Sequence, residues 1–280
     1  MLPTVLSLLQ CPTCAAGALT VRDASLHCNQ GHVFAIDDGV PRLVDPPDLA
    51  YRFEDAETYE ELMGFVAKLL RSDEAAARRR GVEALDLKPG DRVLEVGCGP
   101  GNNFPYLFER LGRRGEIFAG DISPHMLRVA RRRDVIAPEQ RHLFLLNGSR
   151  LPFVDGCFDA VLQIGTINRF PDIAAALVEM VRVTRYGGMI VVSDEAIGPW
   201  LDKTDYGALL KKFGGFFEGD VPLHALPPQA QDVRIWWDLG HAFYAIAFRV
   251  GDPPSADLDV RLPGKSGTVR DVLEKGKAPA

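Results

Sequence analysis

Two constellations in this 280-residue chain have the residue types and spacing for chemistry. The first is Gly97-Cys98-Gly99-Pro100-Gly101, directly behind the apolar run Val93-Leu94-Glu95-Val96. Absent side chains let a backbone approach a ligand closely. A glycine turn at the carboxyl end of a strand also lies where open α/β sheets bind nucleotide-like molecules. Asp121, 20 residues beyond Gly101, offers a carboxylate suited to two ribose hydroxyls. The second constellation is Cys11-Pro12-Thr13-Cys14, followed after 13 residues by Cys28-Asn29-Gln30-Gly31-His32. Two close pairs on tight turns supply what a tetrahedral zinc site needs, with Cys11, Cys14, Cys28 and His32 as ligands. His27, immediately beside Cys28, fits poorly as the fourth. A disulfide is the competing reading, opposed by the two-knuckle spacing and a reducing compartment.

These residues need elements to position them. Apolar runs predict strands at Arg92–Val96, Glu116–Gly120, Leu143–Leu146, Phe158–Ile164 and Met189–Ser193. Helices fall near Phe104–Leu111, Pro124–Arg133 and Ile173–Thr184. Strand-helix alternation implies a parallel, doubly wound α/β sheet. Val233–Asp238 and Phe243–Val250 are separated by four residues, which suits a hairpin and an antiparallel last strand. Upstream, Glu54–Leu70 carries Tyr59, Leu62, Met63, Val66, Leu69 and Leu70 at helical spacing.

A glycine turn also serves nicotinamide and flavin enzymes, but these prefer G-x-G-x-x-G, and this chain has G-x-G-x-G followed by Asn102-Asn103. The stretch Val93–Gly101, with Asp121-Ile122-Ser123-Pro124-His125-Met126-Leu127, resembles the class I S-adenosylmethionine-dependent methyltransferases of type 11-like sequence. The likeness continues in Asn147-Gly148-Ser149-Arg150-Leu151-Pro152-Phe153 and Cys157-Phe158-Asp159-Ala160-Val161. It ends at Arg182-Val183-Thr184-Arg185-Tyr186-Gly187-Gly188-Met189, where the family usually reads R-V-L-K-P-G-G. The resemblance implies a seven-stranded Rossmann-like methyltransferase sheet and assigns roles on it. Glu95, Gly97, Gly99 and Gly101 take the methionyl end, Asp121 the ribose, and Ile122 and Met126 flank the adenine. Asn147, with Gly148, Ser149 and Gln163, completes the expected cofactor contacts. Asn147 stands where many relatives carry an aspartate, and its amide oxygen accepts the same bond without a charge.

The ribbon resembles two groups. Ribosomal RNA guanine methyltransferases share its C-x-x-C and C-x-x-x-H turns and a following G-H-x-F. Small-molecule methyltransferases with a short zinc ribbon share the exit phrase Asp38-Gly39-Val40-Pro41-Arg42-Leu43. The match to the second group, and a net charge of −6 that gives no long-range attraction to phosphate, favour a small organic acceptor such as a quinone precursor. The alternative is a ribosomal RNA guanine base methyltransferase that holds RNA with its ribbon. A third reading is a non-catalytic scaffold with a retained cofactor fold. Four protein ligands leave zinc no open position, so its role is read as structural.

With 46% hydrophobic and 25% charged residues, the chain is long enough for one large core and a small satellite. Basic clusters at Arg78–Arg80, Arg113-Arg114 and Arg131–Arg133 read as solvated faces and turns. No apolar run approaches the roughly 20 residues of a membrane span, and the opening lacks a signal peptide's basic start, so a cytoplasmic location is expected. The expected organisation is a zinc ribbon over 1–45, a helical lid or linker over 46–88, the methyltransferase domain over 89–250 with a cap at 198–231, and a tail over 251–280. The oligomeric state is left open. Tyr51, Phe53 and Tyr59 are candidate lid residues. Candidate acid-base residues are His224, His241 and Glu195, in the cap, the terminal hairpin and the end of the fifth strand. Trp200, Tyr206, Phe213, Phe216 and Phe217 make the cap a candidate acceptor lining.

Overall fold

Inner strands of the central sheet such as Arg92–Val96 and Glu116–Asp121 are buried at successive positions because both faces are covered, whereas the short strands Ser25–Cys28 and Val40–Leu43 alternate. A computed structural model describes residues 3–15, 17–44, 56–133, 137, 140–212, 217–264 and 267–275. The chain begins with a single helical turn, α1 (Pro3–Leu6), and four short strands, β1 (Leu19–Arg22), β2 (Ser25–Cys28), β3 (Val33–Asp37) and β4 (Val40–Leu43). Helices α2 (Ala56–Leu69) and α3 (Glu74–Glu83) lead into β5 (Arg92–Val96), α4 (Phe104–Leu111), β6 (Glu116–Asp121), α5 (Pro124–Arg131) and β7 (Arg141–Leu146). Then come β8 (Phe158–Ile164), α6 (Ile173–Val183), β9 (Thr184–Glu195), α7 (Asp205–Lys211), β10 (Ala230–Asp238), β11 (Phe243–Val250) and α8 (Val269–Lys275). Tyr51, Phe53, Phe213 and Phe216 lie outside the described residues. No helix among the described residues is long and apolar enough to cross a membrane.

The central sheet runs β7-β6-β5-β8-β9-β11-β10. β5 to β9 are parallel, and β11 is antiparallel to both β9 and β10. This is the seven-stranded, doubly wound sheet with a reversed last strand. Strand order turns back between β5 and β8, which makes the carboxyl ends of these strands the ligand-binding switch point.

The sheet does not stop at β7. β4 pairs parallel with it, Arg42 opposite Leu145 and Leu43 opposite Leu146, and β3, β2 and β1 follow antiparallel to give 11 strands. Leu9, Leu26, Phe34 and Leu43 of the amino-terminal segment share one core with Phe118, Phe144, Phe153 and Phe158. The phenylalanines pack mainly edge to face, with centroids 4.9 Å apart for Phe153 and Phe158. The described residues of the amino-terminal segment (3–15 and 17–44) thus bury their apolar side against the sheet. A segment of this size holds too little apolar surface to stand alone.

α3 is absent from the helices read in the sequence. Its stretch Glu-Ala-Ala-Ala-Arg-Arg-Arg lacks apolar periodicity, and its start is set locally by Asp73, whose Oδ1 accepts from the N–H of Ala75 and Ala76. α3 packs beside α2 over the carboxyl ends of the strands, where both reach the site.

Candidate active site

Gly97, Gly99 and Gly101 have φ of 71°, 52° and 81°, the left-handed region that glycine enters without steric cost. A β-carbon on Gly97 would run into the Thr166 side chain, and one on Gly101 would lie 2.5 Å from the Phe104 ring. At Gly99 it would meet nothing within 4 Å, so that peptide faces the cleft. The turn is braced from the next strand. Gly97 and Cys98 donate to Gly120 O, and Gly99 N donates to Asp121 Oδ2 at 2.8 Å. Ser123 N donates to the other oxygen at 2.8 Å. Asp121 is buried, which pushes its pKa up to about 6 against the lowering effect of these bonds. A carboxylate has about four lone-pair sites, so capacity remains for hydroxyl donors.

Glu95 is 1% exposed. Its Oε1 accepts from Asn103 Nδ2 at 2.7 Å, while Oε2 is buried without a hydrogen-bond partner among the described residues. Burial pushes its pKa up to about 7, opposed by Asn103 and Arg78. Asn103 Oδ1 accepts in turn from Arg78 Nη1 at 3.0 Å. Arg78 Nε donates to Glu74 Oε1 at 2.7 Å, and Nη2 donates to the Tyr59 hydroxyl at 3.4 Å. One polar chain therefore links β5, the start of α4, α3 and α2.

Arg78 and Asn103 were not among the residues singled out in the sequence. Arg78 reads there as part of a solvated cluster. Its one distinguishing signal is Glu74 four residues earlier, since the partnership with Asn103 is long-range. The lid candidate Tyr59 does reach the site. A narrow cleft lies among Gly97, Gly99, Asn103, Met126, Gly165 and Thr166. An orphaned acidic oxygen, an open glycine and a carboxylate with spare lone pairs suit a zwitterionic nucleoside such as S-adenosylmethionine.

Not every expected cofactor contact joins this cleft. Met126 lines it, presented by a helix capped where Ser123 Oγ accepts from Met126 N. Ile122, half-buried, precedes that cap. Asn147 Oδ1 instead accepts from Ser149 N at 2.9 Å and closes its own turn. Gly148 is needed for packing, because a β-carbon there would lie 2.5 Å from the Phe170 ring. Gln163 is fully buried. With its amide oxygen turned toward the chain that follows, it accepts from Thr166 N and Ile167 N at 2.8 and 2.9 Å. Asn147, Gly148, Ser149 and Gln163 are not among the residues that line this cleft, and neither are Glu95, Gly101, Asp121 and Ile122, which lie behind or beside it.

A second cleft adjoins the first. The two share Tyr59, Arg78, Ile164 and Gly165, and the second is walled by Met63, Ala77, Leu239 and Phe243. Glu195 also lines it. Burial first, and then the adjacent Asp194, holds the Glu195 carboxyl well above the usual carboxylate range. Asp194 is fully buried and accepts from Asn168 N at 2.7 Å and Glu195 N at 2.9 Å.

The two histidines lie elsewhere. His224 is exposed on the turn Leu223–Ala225, and exposed His241 meets the Trp200 ring at 5.7 Å. Of the three acid-base candidates, Glu195 lines the second cleft, and neither histidine lines either of these two clefts. None of the described residues of 198–231 lines the second cleft. Trp200 is 58% exposed and stacks edge-on with Trp237, while Phe217 is buried against Phe243. Tyr206 donates to Gly240 O at 2.7 Å.

At the amino terminus, the ligand atoms of Cys11, Cys14, Cys28 and His32 lie within 4.8 Å of one another. Cys11 Sγ is 3.6 Å from His32 Nδ1, and Cys14 Sγ is 3.5 Å from Cys28 Sγ. Sulfurs about 2.3 Å from a tetrahedral zinc ion lie about 3.8 Å apart, close to this spacing, whereas a disulfide bond is about 2.05 Å. The donor set and its geometry therefore fit zinc.

Residues 94–192 match the family described as "Methyltransferase domain". The chain is 34% identical over 173 residues to a demethylmenaquinone methyltransferase of Beutenbergia cavernae, covering 60% of this chain and 67% of that protein. It is 38% identical over 115 residues to the ubiquinone/menaquinone biosynthesis C-methyltransferase UbiE of Xylella fastidiosa, covering 40% of this chain but only 46% of that one. A solved protein from Bordetella parapertussis superposes with a TM-score of 0.52 at 18% identity over 63% of this chain and 67% of its own, a likeness of fold. The chain belongs to the S-adenosylmethionine-dependent methyltransferases.

Proposed function

We propose that this chain methylates a small, largely apolar or aromatic, quinone-like acceptor, and that its ribbon carries one structural zinc ion. The observation that carries the reading is the apolar cleft that adjoins the glycine-turn cleft across Tyr59, Arg78, Ile164 and Gly165. A methyl group handed between two molecules must cross such a seam. The demethylmenaquinone methyltransferase of Beutenbergia cavernae, which acts on a quinone by its name, supports the acceptor class.

S-adenosylmethionine would supply, when bound, a methyl carbon open to in-line attack by a nucleophile, with the C–S bond breaking and the sulfur leaving as a neutral thioether. The chain supplies binding, alignment and exclusion of water. Glu95 Oε2 accepts the amino group, for which it is the unpaired buried acceptor. The peptide at Gly99 gives close backbone approach, Asp121 accepts the ribose hydroxyls, and Ile122 and Met126 flank the adenine. Tyr59 and Arg78 close the seam from above, and Met63, Ala77, Leu239 and Phe243 hold the acceptor flat and dry. Cys11, Cys14, Cys28 and His32 close the zinc shell, so the ion fastens the ribbon and takes no part in transfer.

Labelled S-adenosylmethionine supplied to both total RNA and a small-molecule extract tests the reading. Label should appear in an extractable, apolar compound. Label on one ribosomal RNA base and nowhere in the extract would overturn it.

A further inference from the structure

Asn102 and Asn103, the two asparagines behind the glycine turn, each engage an arginine, and the two arginines reach adjacent residues of α2. In the first arm, Asn103 Oδ1 accepts from Arg78 Nη1, and Arg78 Nη2 donates to the Tyr59 hydroxyl at 3.4 Å. In the second, Asn102 Oδ1 accepts from Arg133 Nη2, which also donates to Glu60 Oε1 at 2.6 Å. Arg133 Nε donates to Pro100 O at 2.5 Å, inside the glycine turn itself. Pro100, Asn102, Asn103, Arg78 and Tyr59 line the first cleft, whereas Arg133 and Glu60 do not. The second arm thus grips the cleft wall from outside and ends on α2. The apolar anchor of α2 sits toward its other end, where Met63, Val66 and the following Leu70 pack with Leu239 and Phe243. Before Met63 its one buried side chain is Ala56, with Tyr59 and Leu62 half-buried. A methyl group buries little apolar area, so the polar arms carry much of the hold on these first turns.

On the reading that the first cleft holds the cofactor, we infer that Arg133 and Glu60 are positioning residues that latch α2 over it, and that breaking their pair admits S-adenosylmethionine and releases S-adenosylhomocysteine. Both act through α2 and the glycine turn. The pair contacts protein groups alone, so it holds the free and the occupied chain alike. Loosening a latch common to both states speeds entry and exit together and leaves Kd nearly unchanged. Losing a ligand contact speeds exit alone and weakens Kd in proportion. The two side chains are 29% and 47% exposed, a degree at which dissolved salt screens an ion pair.

Labelled S-adenosylhomocysteine tests this on the full chain. Uptake on rapid mixing gives the entry rate, a chase with unlabelled ligand gives the exit rate, and calorimetry gives Kd. Glu60 is exposed on a helix, so Glu60→Gln and Glu60→Lys leave the core untouched. Glu60→Gln should raise both rates about threefold, and Glu60→Lys, which faces Arg133 with a like charge, at least about fivefold, with Kd within about twofold of wild type. Raising salt from about 50 to about 500 mM should quicken both rates in the wild type and leave them level in Glu60→Gln. Hydrogen exchange in peptides covering residues 56–62 should quicken in Glu60→Lys, while those covering Arg92–Val96 stay level. Unchanged rates in Glu60→Lys, a faster exit with a proportionate loss of affinity, or unchanged exchange over residues 56–62 overturns the inference.

Asp121→Ala keeps this inference distinct from the reading beneath it. As a lost ligand contact, it should speed exit and weaken Kd. Ligand binding indifferent to Asp121→Ala, or no binding of S-adenosylhomocysteine by the wild type, removes the cofactor assignment of the cleft and the latch with it. Binding weakened by Asp121→Ala, with rates indifferent to Glu60→Lys, removes only the latch.

Discussion

The backbone N–H of Gly99 donates to Oδ2 of Asp121 at 2.8 Å, so the acid that closes β6 also holds the turn leaving β5. One carboxylate braces the glycine turn, and on the proposed reading its remaining lone pairs take the ribose hydroxyls. Asp121→Ala removes both, and should weaken S-adenosylhomocysteine binding by roughly ten- to a hundredfold. Asp121→Asn keeps one oxygen for the Gly99 N–H and should lose less. Calorimetric titration measures both, and an unchanged affinity in the alanine variant refutes the ribose assignment.

Glu95 gives the site a pH signature. Burial raises its pKa from 4.5 to about 7, and Asp121 is raised to about 6. A folded-state pKa above the unfolded value means that the native state binds the proton more tightly. Their contribution to stability is therefore greatest below the unfolded values and declines as pH rises to about 7. On the proposal that Glu95 Oε2 takes the ligand's ammonium group, ligand affinity runs the other way, because the ionised carboxylate is the form that pairs with that charge. Binding should tighten as pH rises toward about 7 and then level, with a flatter profile in Glu95→Gln. Titrations across this range check it, and a wild-type affinity that falls with rising pH would contradict the assignment.

The parts of this site that were readable in the sequence are those fixed by local rules. The turn at Gly97–Gly101 needs positive φ, β5 and β8 are continuous apolar runs, and the Cys/His pairs sit on their own tight turns. What was not readable depends on distant partners. α3 has no apolar periodicity, so the helix carrying Arg78 went unread, and with it the polar chain to Asn103 and Glu95. β4 joins β7 across about 100 residues of chain, which makes the ribbon part of the sheet. Asn147 and Gln163 occupy expected positions, yet their side chains satisfy nearby backbone N–H groups. The cap is rich in aromatics, but apolar side chains there build core as readily as they line a pocket, and Phe217 does the former.

The pairing of β4 with β7 bears on zinc. Cys11 and Cys28 are buried in the core that contains Phe144 and Phe153. Protein purified without added metal should hold about one zinc per chain, lost in a Cys11→Ser/Cys28→Ser variant. Chelation should lower the unfolding midpoint of the chain as one transition, by at least about 5 °C, because ribbon and sheet share their packing. Metal analysis and scanning calorimetry test both. A separate early transition for the ribbon would show that the two unfold independently.

Two aromatic residues of the cap should behave oppositely. Phe217 is 5% exposed and packs edge to face against Phe243, with centroids 5.8 Å apart. Phe243 in turn lines the second cleft. Phe217→Ala should cost about 3–5 kcal/mol in stability, as expected for an emptied core position. It should also impair acceptor methylation, because Phe243 loses its support. Trp200 is 58% exposed, contacts Trp237 edge-on and does not line the cleft. Trp200→Ala should cost only about 1 kcal/mol, the size of one aromatic contact. Methylation should stay within about threefold of wild type, since no cleft contact is lost. Cofactor affinity should be unchanged in both variants, because the glycine turn and Asp121 lie on β5 and β6. Denaturant melts, cofactor titration and turnover of the extracted acceptor together separate these outcomes. A Trp200→Ala variant that is stable and binds cofactor but no longer methylates would return specificity to the cap.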